Sequence, residues 1–170
     1  MGAYYEATIN KDRYSTWSIK QGAKLMEHGY VGNDYVENVL SLLEKNPQPL
    51  QWLCDYTEDG LTWENTVEHE FTEDLWSYRL QPTYFILNHT KNLYIDIREF
   101  ICGHSLRSFM IHPLVILCNS EKSAMGGGDY RKDESSRGSW KGDIIEITYC
   151  EEKVDALNFE NVTKDCRFYE

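Results

Sequence analysis

An apolar run, a glycine-rich loop and a second apolar run dominate the carboxyl-terminal half of this chain. The first run extends from Met110 to Cys118 and the second from Asp143 to Tyr149. About two dozen polar and glycine-rich residues separate them, and loops of that length inside a compact domain are usually functional or mobile. The chain therefore folds around two buried segments, with the loop between them at the surface.

The length of the chain predicts a single domain, residues 1–170. A chain of 170 residues can bury a sizeable core without metals or disulfides. Its hydrophobic content of 41% and aromatic content of 14% are typical of a folded protein rather than a disordered one. We find no internal repeat or linker that would divide it.

The amino-terminal part predicts a β-hairpin and a helix. Side chains alternate from Ala3 to Ile9, and turn residues separate this run from Arg13 to Ile19. Asn33 or Asp34 caps a predicted helix that reaches about Lys45, because Val and Leu residues follow at helical spacing.

The middle of the chain predicts a second hairpin and a second helix. The strands of this hairpin are Thr83 to Leu87 and Leu93 to Ile97. Between Thr66 and Tyr78 the apolar residues follow one another at spacings of four, four and three residues. This spacing favours an amphipathic helix, with a twisted β-ribbon as the alternative. Met110 to Cys118 fits either a buried strand or a short buried helix. Together the patterns predict an α+β domain: an antiparallel sheet built from hairpins, with one or two helices packed on it.

Several short segments resemble an uncharacterised family of small bacterial and phage proteins. In that family an IHPL segment precedes a GGGDY turn and a G-x-W-x-x-D-x-I strand, and W-x-G-D-Y and N-H-T-K segments lie upstream. The similar segments here are Ile111 to Leu114, Gly126 to Tyr130, Gly138 to Ile144, Trp52 to Tyr56 (with Cys54 in place of the glycine) and Asn88 to Lys91. The resemblance implies one domain and a bacterial or phage origin, and it carries no activity.

The charge balance argues against direct binding to nucleic acid. Lys and Arg number 17 against 28 Asp and Glu, a net charge of −11, so a phosphate backbone would be repelled. Carboxylates are concentrated from Asp55 to Asp74, and no Lys or Arg lies between Lys45 and Arg79. Such a segment would steer a protein with a basic surface towards it. An ordinary solvated face that keeps the protein soluble is the alternative interpretation.

Aromatic residues within the acidic segment could anchor such a partner. Trp is enriched at the centres of protein interfaces, although these rings could equally pack on a thin β-layer. The predicted partner-binding surface consists of Asp55, Glu58, Asp59, Trp63, Glu64, Glu68, Glu70, Glu73, Asp74 and Trp76.

The glycine triplet suggests a different site. Three successive residues without a Cβ can expose backbone amides that bind an anion. The predicted site for a small anionic nucleotide consists of Gly126, Gly127, Gly128, Asp129, Tyr130, Arg131, Lys132 and Arg137. The segment matches neither of the glycine-rich phosphate-binding motifs, so a tight turn is the alternative interpretation.

No catalytic, metal or cofactor site is indicated. His112 and Cys118 cannot form a local dyad, because six extended residues span about 20 Å and six helical positions place side chains on nearly opposite faces. The His residues have no metal-ligand spacing. A hydrolase that uses either residue is therefore the least favoured function.

Cysteine content and the lack of targeting signals predict a cytoplasmic protein. The five Cys residues are odd in number and contain no C-x-x-C pair, which fits a reducing compartment. The sequence lacks a signal peptide pattern and a long apolar run, so no membrane association is expected. We therefore expect a non-enzymatic cytoplasmic protein that docks on a basic partner. An immunity protein, or a phage inhibitor of a bacterial nuclease or defence system, acts in this manner.

Overall fold

The computed structural model describes residues 2–16, 22–71, 83–103, 110–123, 125–130 and 135–166. Eight strands form one sheet in the order β4-β2-β1-β3-β7-β5-β6-β8. In chain order the strands are β1 (Tyr5–Ile9), β2 (Asp12–Ser15), β3 (Gln48–Cys54), β4 (Val67–Glu70), β5 (Phe85–Asn88), β6 (Leu93–Asp96), β7 (Ile144–Thr148) and β8 (Glu160–Asn161).

Five α-helices accompany the sheet in the described part of the chain, which confirms the α+β prediction. They are α1 (Leu25–His28), α2 (Asp34–Lys45), α3 (Ile97–Cys102), α4 (Pro113–Leu117) and α5 (Glu151–Leu157), followed by a 3₁₀ helix over Thr163–Cys166. The prediction of one or two helices was too low. Helices of four to six residues, such as α1, α3 and α4, contain too few turns to produce a visible apolar period.

Both predicted hairpins are confirmed. β1 pairs with β2 and β5 pairs with β6, each antiparallel. An asparagine with positive φ lies in each turn, Asn10 at 58° and Asn92 at 57°. Asparagine tolerates this left-handed conformation better than most side chains, which explains why turn chemistry located both hairpins.

Helix α2 also forms where the sequence predicts it. The Asn33 side chain accepts a hydrogen bond from the Tyr35 amide at 2.9 Å and caps the helix. The buried face of the helix packs against the sheet through Val36, Val39, Leu40 and Leu43. The Tyr35 hydroxyl donates to the carbonyl of Tyr14 at 2.7 Å and accepts from the Ala7 amide at 2.6 Å, which ties the helix to β1 and β2.

The sheet is mixed rather than purely antiparallel, and this corrects the prediction. Strand β4 runs parallel to β2, and β8 runs parallel to β6. Both parallel pairs lie at the ends of the sheet and join strands that are distant in the chain. Parallel strands need long connections, so no short turn motif in the sequence indicates that they pair.

The helix predicted from Thr66 to Tyr78 is wrong over Val67–Glu70, which form β4; residues 72–78 lie outside the described part. A spacing of four is even, so Val67 and Phe71 share a face on a strand as well as on a helix. Phe71 stacks on the ring of Tyr14 at 5.3 Å between ring centres, and this packing with the β2 pairing favours the strand.

The apolar run after Met110 forms helix α4. The His112 Nδ1 accepts a hydrogen bond from the Leu114 amide at 3.3 Å, and Pro113 occupies the first helical turn. All five residues of the helix are buried. A capping side chain followed by proline thus decides between the two alternatives for this run.

The carboxyl-terminal segment docks on the sheet. Strand β8 extends it beyond β6, and the Thr163 hydroxyl accepts a hydrogen bond from the Asp96 amide at 2.9 Å. Cys166 is buried against the core. Among the described helices, none is both long enough and apolar enough to cross a lipid bilayer.

Candidate functional site

A polar cavity of about 600 Å³ opens beside the carboxyl end of β3. One wall comes from the start of the acidic segment, and the opposite wall comes from the loop after α4. The residues that line it are Tyr56, Thr57, Glu58, Asp59, Ser120, Glu121, Lys122, Ser123, Met125 and Lys141. We refer to it below as the polar cavity.

Main-chain pairing with β3 brings the two walls together. The amide of Trp52 donates to the carbonyl of Cys118 at 2.7 Å, and the amide of Ser120 donates to the carbonyl of Trp52 at 2.8 Å. The loop after α4 therefore runs alongside the end of β3. This placement sets Ser120 and Glu121 next to Thr57, more than sixty residues away in the chain.

A chain of hydroxyl groups fixes the floor of the polar cavity. The Cys54 amide donates to Ser120 Oγ at 2.9 Å, Ser120 Oγ lies 2.8 Å from Thr57 Oγ1, and Thr57 Oγ1 donates to the Glu121 carboxylate at 2.6 Å. Since the Thr57 proton goes to the carboxylate, Ser120 must donate to Thr57. Both hydroxyl protons are therefore engaged, and the hydrogen bonds hold the two walls of the cavity together.

The rim of the polar cavity combines charges of both signs with apolar surface. Glu58 and Asp59 are exposed, and Lys141 donates from Nζ to the Ser120 carbonyl at 3.2 Å. Tyr56 and Met125 are 44% and 45% exposed. Aromatic and carboxylate groups at one opening can hold a cationic side chain by cation–π and ionic contacts.

The acidic segment continues to the outer strand of the sheet. We call Glu64 together with β4 the acidic edge. All four β4 residues are exposed, and β4 is the last strand at its end of the sheet. Glu68 lies 3.7 Å from Arg13 Nη2, and His69 Nε2 lies 3.2 Å from the Asp12 carboxylate. The contact of Glu68 is long, and both partners of the contact between His69 and Asp12 are exposed to solvent, so these contacts neutralise little charge.

Arg13 directs most of its charge inwards. Its Nη1 donates to the carboxylate of Glu6, which is fully buried on β1. Burial raises the pKa of Glu6 to about 7, and Arg13 acts against that shift. The guanidinium also lies 4.3 Å from the ring centre of Trp63. The cation nearest to the acidic edge is therefore engaged with internal partners.

The structure distributes the predicted partner-binding residues among different settings. Trp63 is half-buried, with its ring covered by Arg13 and its Nε1 donating to the Leu53 carbonyl at 3.4 Å. Asp55 accepts a hydrogen bond from the Tyr4 amide at 2.9 Å. Glu73, Asp74 and Trp76 lie outside the described residues. Those that are exposed are Glu58, Asp59, Glu64, Glu68 and Glu70.

The glycine loop is closed by its own aspartate. The buried carboxylate of Asp129 accepts hydrogen bonds from the amides of Met125, at 3.1 Å, and Gly126. The Gly128 carbonyl accepts from the Met26 amide at 2.9 Å, and Gly127 is exposed. Two amides near the predicted anion site thus already bind a carboxylate.

Arg137 contributes to the same closure. It is buried and donates from Nη2 to the carbonyls of Asp129 and Tyr130. Its Nε and Nη1 find no hydrogen-bond partner within the described ranges. Arg131 and Lys132 lie outside those ranges. Arg137 therefore holds the loop from inside instead of presenting a charge to solvent.

The histidine and cysteine considered for catalysis lie in the core. His112 is fully buried, its Nε2 lies 3.0 Å from the Tyr84 hydroxyl, and burial lowers its pKa to about 3. Burial raises the pKa of the Cys118 thiol. A neutral imidazole and a protonated thiol away from solvent cannot meet a substrate. The described residues also include no cluster suited to holding a metal ion.

Comparison with protein-family models, curated proteins and solved structures found no match to this chain. The resemblance through the IHPL and GGGDY segments therefore stays a prediction. The polar cavity and the acidic edge are therefore the features that bear on function. Of the ten residues that line the cavity, only Glu58 and Asp59 belong to a site predicted from the sequence. The hydrogen-bonded residues Thr57, Ser120, Glu121 and Lys141 belong to neither predicted site. The one signal in the sequence is that Ser120 and Glu121 come two and three residues after the end of the apolar run at Cys118.

Proposed function

We propose that this protein binds a basic protein partner through the mouth of the polar cavity and the acidic edge. One observation carries the proposal: four exposed carboxylates form no ion pair with Lys or Arg in the part of the chain that the structure describes. They belong to Glu58, Asp59, Glu64 and Glu70.

Long-range attraction favours such a partner. The net charge of −11 produces a negative field around the whole molecule, and unpaired surface carboxylates concentrate it locally. A basic surface would be guided to this region and would associate faster at low salt. Screening at higher ionic strength should weaken the complex.

The class of partner follows from the same chemistry. Proteins that handle nucleic acid carry basic surfaces for phosphate contacts, and an acidic protein can occupy those surfaces. A role as an inhibitor or immunity-like protein of such a partner is therefore the form of the proposal that we favour. The proposal includes a cytoplasmic location, and the five free cysteines are consistent with that compartment.

The two alternatives have weaker support. A small anionic nucleotide at the glycine loop would compete with Asp129 for the loop amides and would face a buried Arg137. A hydrolase based on His112 or Cys118 would need groups that lie in the core to reach solvent.

A peptide binding experiment tests the proposal. The probe is a ten-residue arginine peptide immobilised for surface plasmon resonance, measured at about 50 mM and about 300 mM NaCl. The variant Glu58→Lys with Asp59→Lys reverses two charges at the polar cavity. The control Glu151→Lys with Asp155→Lys reverses two exposed charges on α5. We expect the cavity variant to lose about tenfold more affinity than the control.

Two results would contradict the proposal. The first is an equal loss for both double variants, since net charge alone would then explain binding. The second is an affinity of the original protein that does not change with salt. Thermal unfolding of each variant checks that the fold is retained, because surface substitutions normally change stability by less than about 0.5 kcal/mol.

A further inference from the structure

We infer that β4 accepts an extended basic segment of the partner as a ninth strand of the sheet. This inference rests on the proposed function and specifies how the acidic edge binds. It is supported by the direction of the β4 main-chain groups, by the position of β4 in the sheet and by its alternating side chains.

The main-chain groups of β4 alternate between the sheet and the outside. The Val67 amide donates to the Lys11 carbonyl at 3.2 Å, and the Phe71 amide donates to the Ser15 carbonyl at 2.9 Å. In a parallel ladder every second residue bonds to a given neighbour. The amides and carbonyls of Glu68 and Glu70 therefore point away from β2.

No described strand pairs with the side of β4 that faces away from β2. Strand β4 is the terminal strand of the sheet, and β2 is the only strand paired with it among the described elements. All four of its residues are exposed. An edge strand with unpaired amides and carbonyls is the template on which extended peptides add to a sheet.

Charge selects the occupant of this edge. Carboxylates on an edge strand discourage pairing with a second copy of the same strand, because like charges would face each other. A strand that carries Lys or Arg would instead place cations opposite Glu68 and Glu70. The same residues thus prevent self-association and favour a basic segment.

The two faces of β4 define the sequence pattern of that segment. Glu68 lies on the face that Arg13 occupies, at 3.7 Å from it. His69 lies on the other face, where its ring stacks on Tyr14 at 5.6 Å, and Val67 shares that face and is 59% exposed. Cross-strand neighbours on one face interact directly. The matching segment alternates Lys or Arg with an apolar β-branched residue.

Backbone methylation separates strand pairing from simple charge attraction. The probe is the blocked peptide Lys-Val-Lys-Val-Lys, compared with one copy methylated on the lysine amides and one methylated on the valine amides. Because the bonding groups of a strand alternate, we expect one methylated peptide to lose about tenfold in affinity while the other binds like the parent. Equal affinity of all three, or equal loss in both methylated peptides, would overturn the inference.

A matched pair of variants tests the same point from the protein side. Glu68→Pro and Glu68→Gln both remove the charge, but only proline removes the outward amide hydrogen. Proline is tolerated at an edge position whose amide faces solvent. We expect Glu68→Pro to bind the parent peptide about fivefold more weakly than Glu68→Gln, with a similar thermal midpoint. Equal binding by the two folded variants would contradict strand addition.

These outcomes also distinguish this inference from the proposed function. If the methylated peptides bind like the parent while the ten-residue arginine peptide binds in a salt-dependent way, strand addition fails and acidic docking stands. If neither peptide binds at low salt, the proposed function itself fails.

Discussion

Carboxylates occupy two contrasting settings in this protein. Around β7 they are nearly buried and paired: Glu146 contacts His89 and Lys153, and Asp143 contacts Lys91. At the acidic edge and the mouth of the polar cavity they are exposed, and Lys and Arg side chains contact few of them among the described residues.

The difference shows that the burial of a carboxylate, and not the composition of the chain, determines whether a cation is paired with it. A buried carboxylate without a partner is unfavourable by several kcal/mol, so a folded chain supplies a cation or a donor for it. An exposed carboxylate is stabilised by water and requires no partner. The unpaired carboxylates are therefore the ones available to another molecule.

Acidification should have the largest effect through the two buried histidines taken together. Burial lowers the pKa of His28 to about 4 and that of His112 to about 3, so below pH 6.5 the unfolded chain binds more protons than the folded one. The free energy of unfolding should then fall by roughly 1.4 kcal/mol per pH unit for each histidine. Glu6 opposes this trend, since its raised pKa of about 7 favours the folded state as pH falls towards 4.5.

Urea unfolding between pH 7 and about pH 4.5 measures this slope. The control is His28→Gln, which keeps an acceptor for the Trp52 indole N–H that now bonds to the imidazole at 2.9 Å. Its slope should be smaller by about one proton. Equal slopes for the original protein and for His28→Gln would contradict the buried, neutral state of the His28 imidazole.

Removal of Arg13 should have the next largest effect. Glu6 would lose its cation while remaining buried, and breaking such a pair destabilises by about 3 kcal/mol. The loss should be smaller near pH 5 than near pH 8, because a carboxyl group with a raised pKa takes up a proton. Denaturant unfolding of Arg13→Ala measures it, and Arg13→Met combined with Glu6→Gln should recover most of the stability. An unchanged Arg13→Ala protein would refute the importance of this pair.

The change Asp143→Ala should have a moderate effect, about 2 kcal/mol. The Asp143 carboxylate accepts a hydrogen bond at 2.7 Å from the buried side-chain amide of Asn88, which would lose its acceptor. Lys91 is 40% exposed and can return to water, so its contribution is smaller. Asp155→Ala on the exposed side of α5 is the control and should change the thermal midpoint little. Equal effects of the two substitutions would remove the contrast between paired and unpaired carboxylates.

The change Glu58→Gln combined with Glu70→Gln should affect stability least, within about 0.5 kcal/mol. Both side chains are exposed, and neither forms an ion pair with a described residue. Binding of the arginine peptide should nevertheless weaken. A loss of stability well above that value would show that these carboxylates support the fold instead of serving a partner.

Local signals account for much of the fold. The hairpins were predicted from alternation and from turn residues such as Asn10 and Asn92, and both asparagines have the positive φ that such turns require. Helix α2 was predicted from its cap and its apolar spacing. In each case the deciding interactions lie within a few residues, so the pattern is visible in the chain itself.

The candidate site could be predicted only in part. Charge counting located the acidic segment, since exposure is the usual state of a carboxylate. The sequence did not show that, among the predicted surface residues, Glu58 and Glu70 are exposed while Trp63 is half-buried beneath Arg13. Nor could it reveal the contact between Thr57 and Glu121, which depends on the loop after α4 running beside β3.

The sequence by itself determined the α+β class, the two hairpins, helix α2 and the sign of the surface charge, because these depend on neighbouring residues or on totals. Only the tertiary structure decided that Val67–Glu70 form an edge strand, since a spacing of four suits strand and helix alike. It also decided that Asp129 and Arg137 turn inwards and that Glu58 faces a cavity. Those outcomes depend on strand pairing and burial between residues far apart in the chain, which local patterns do not encode.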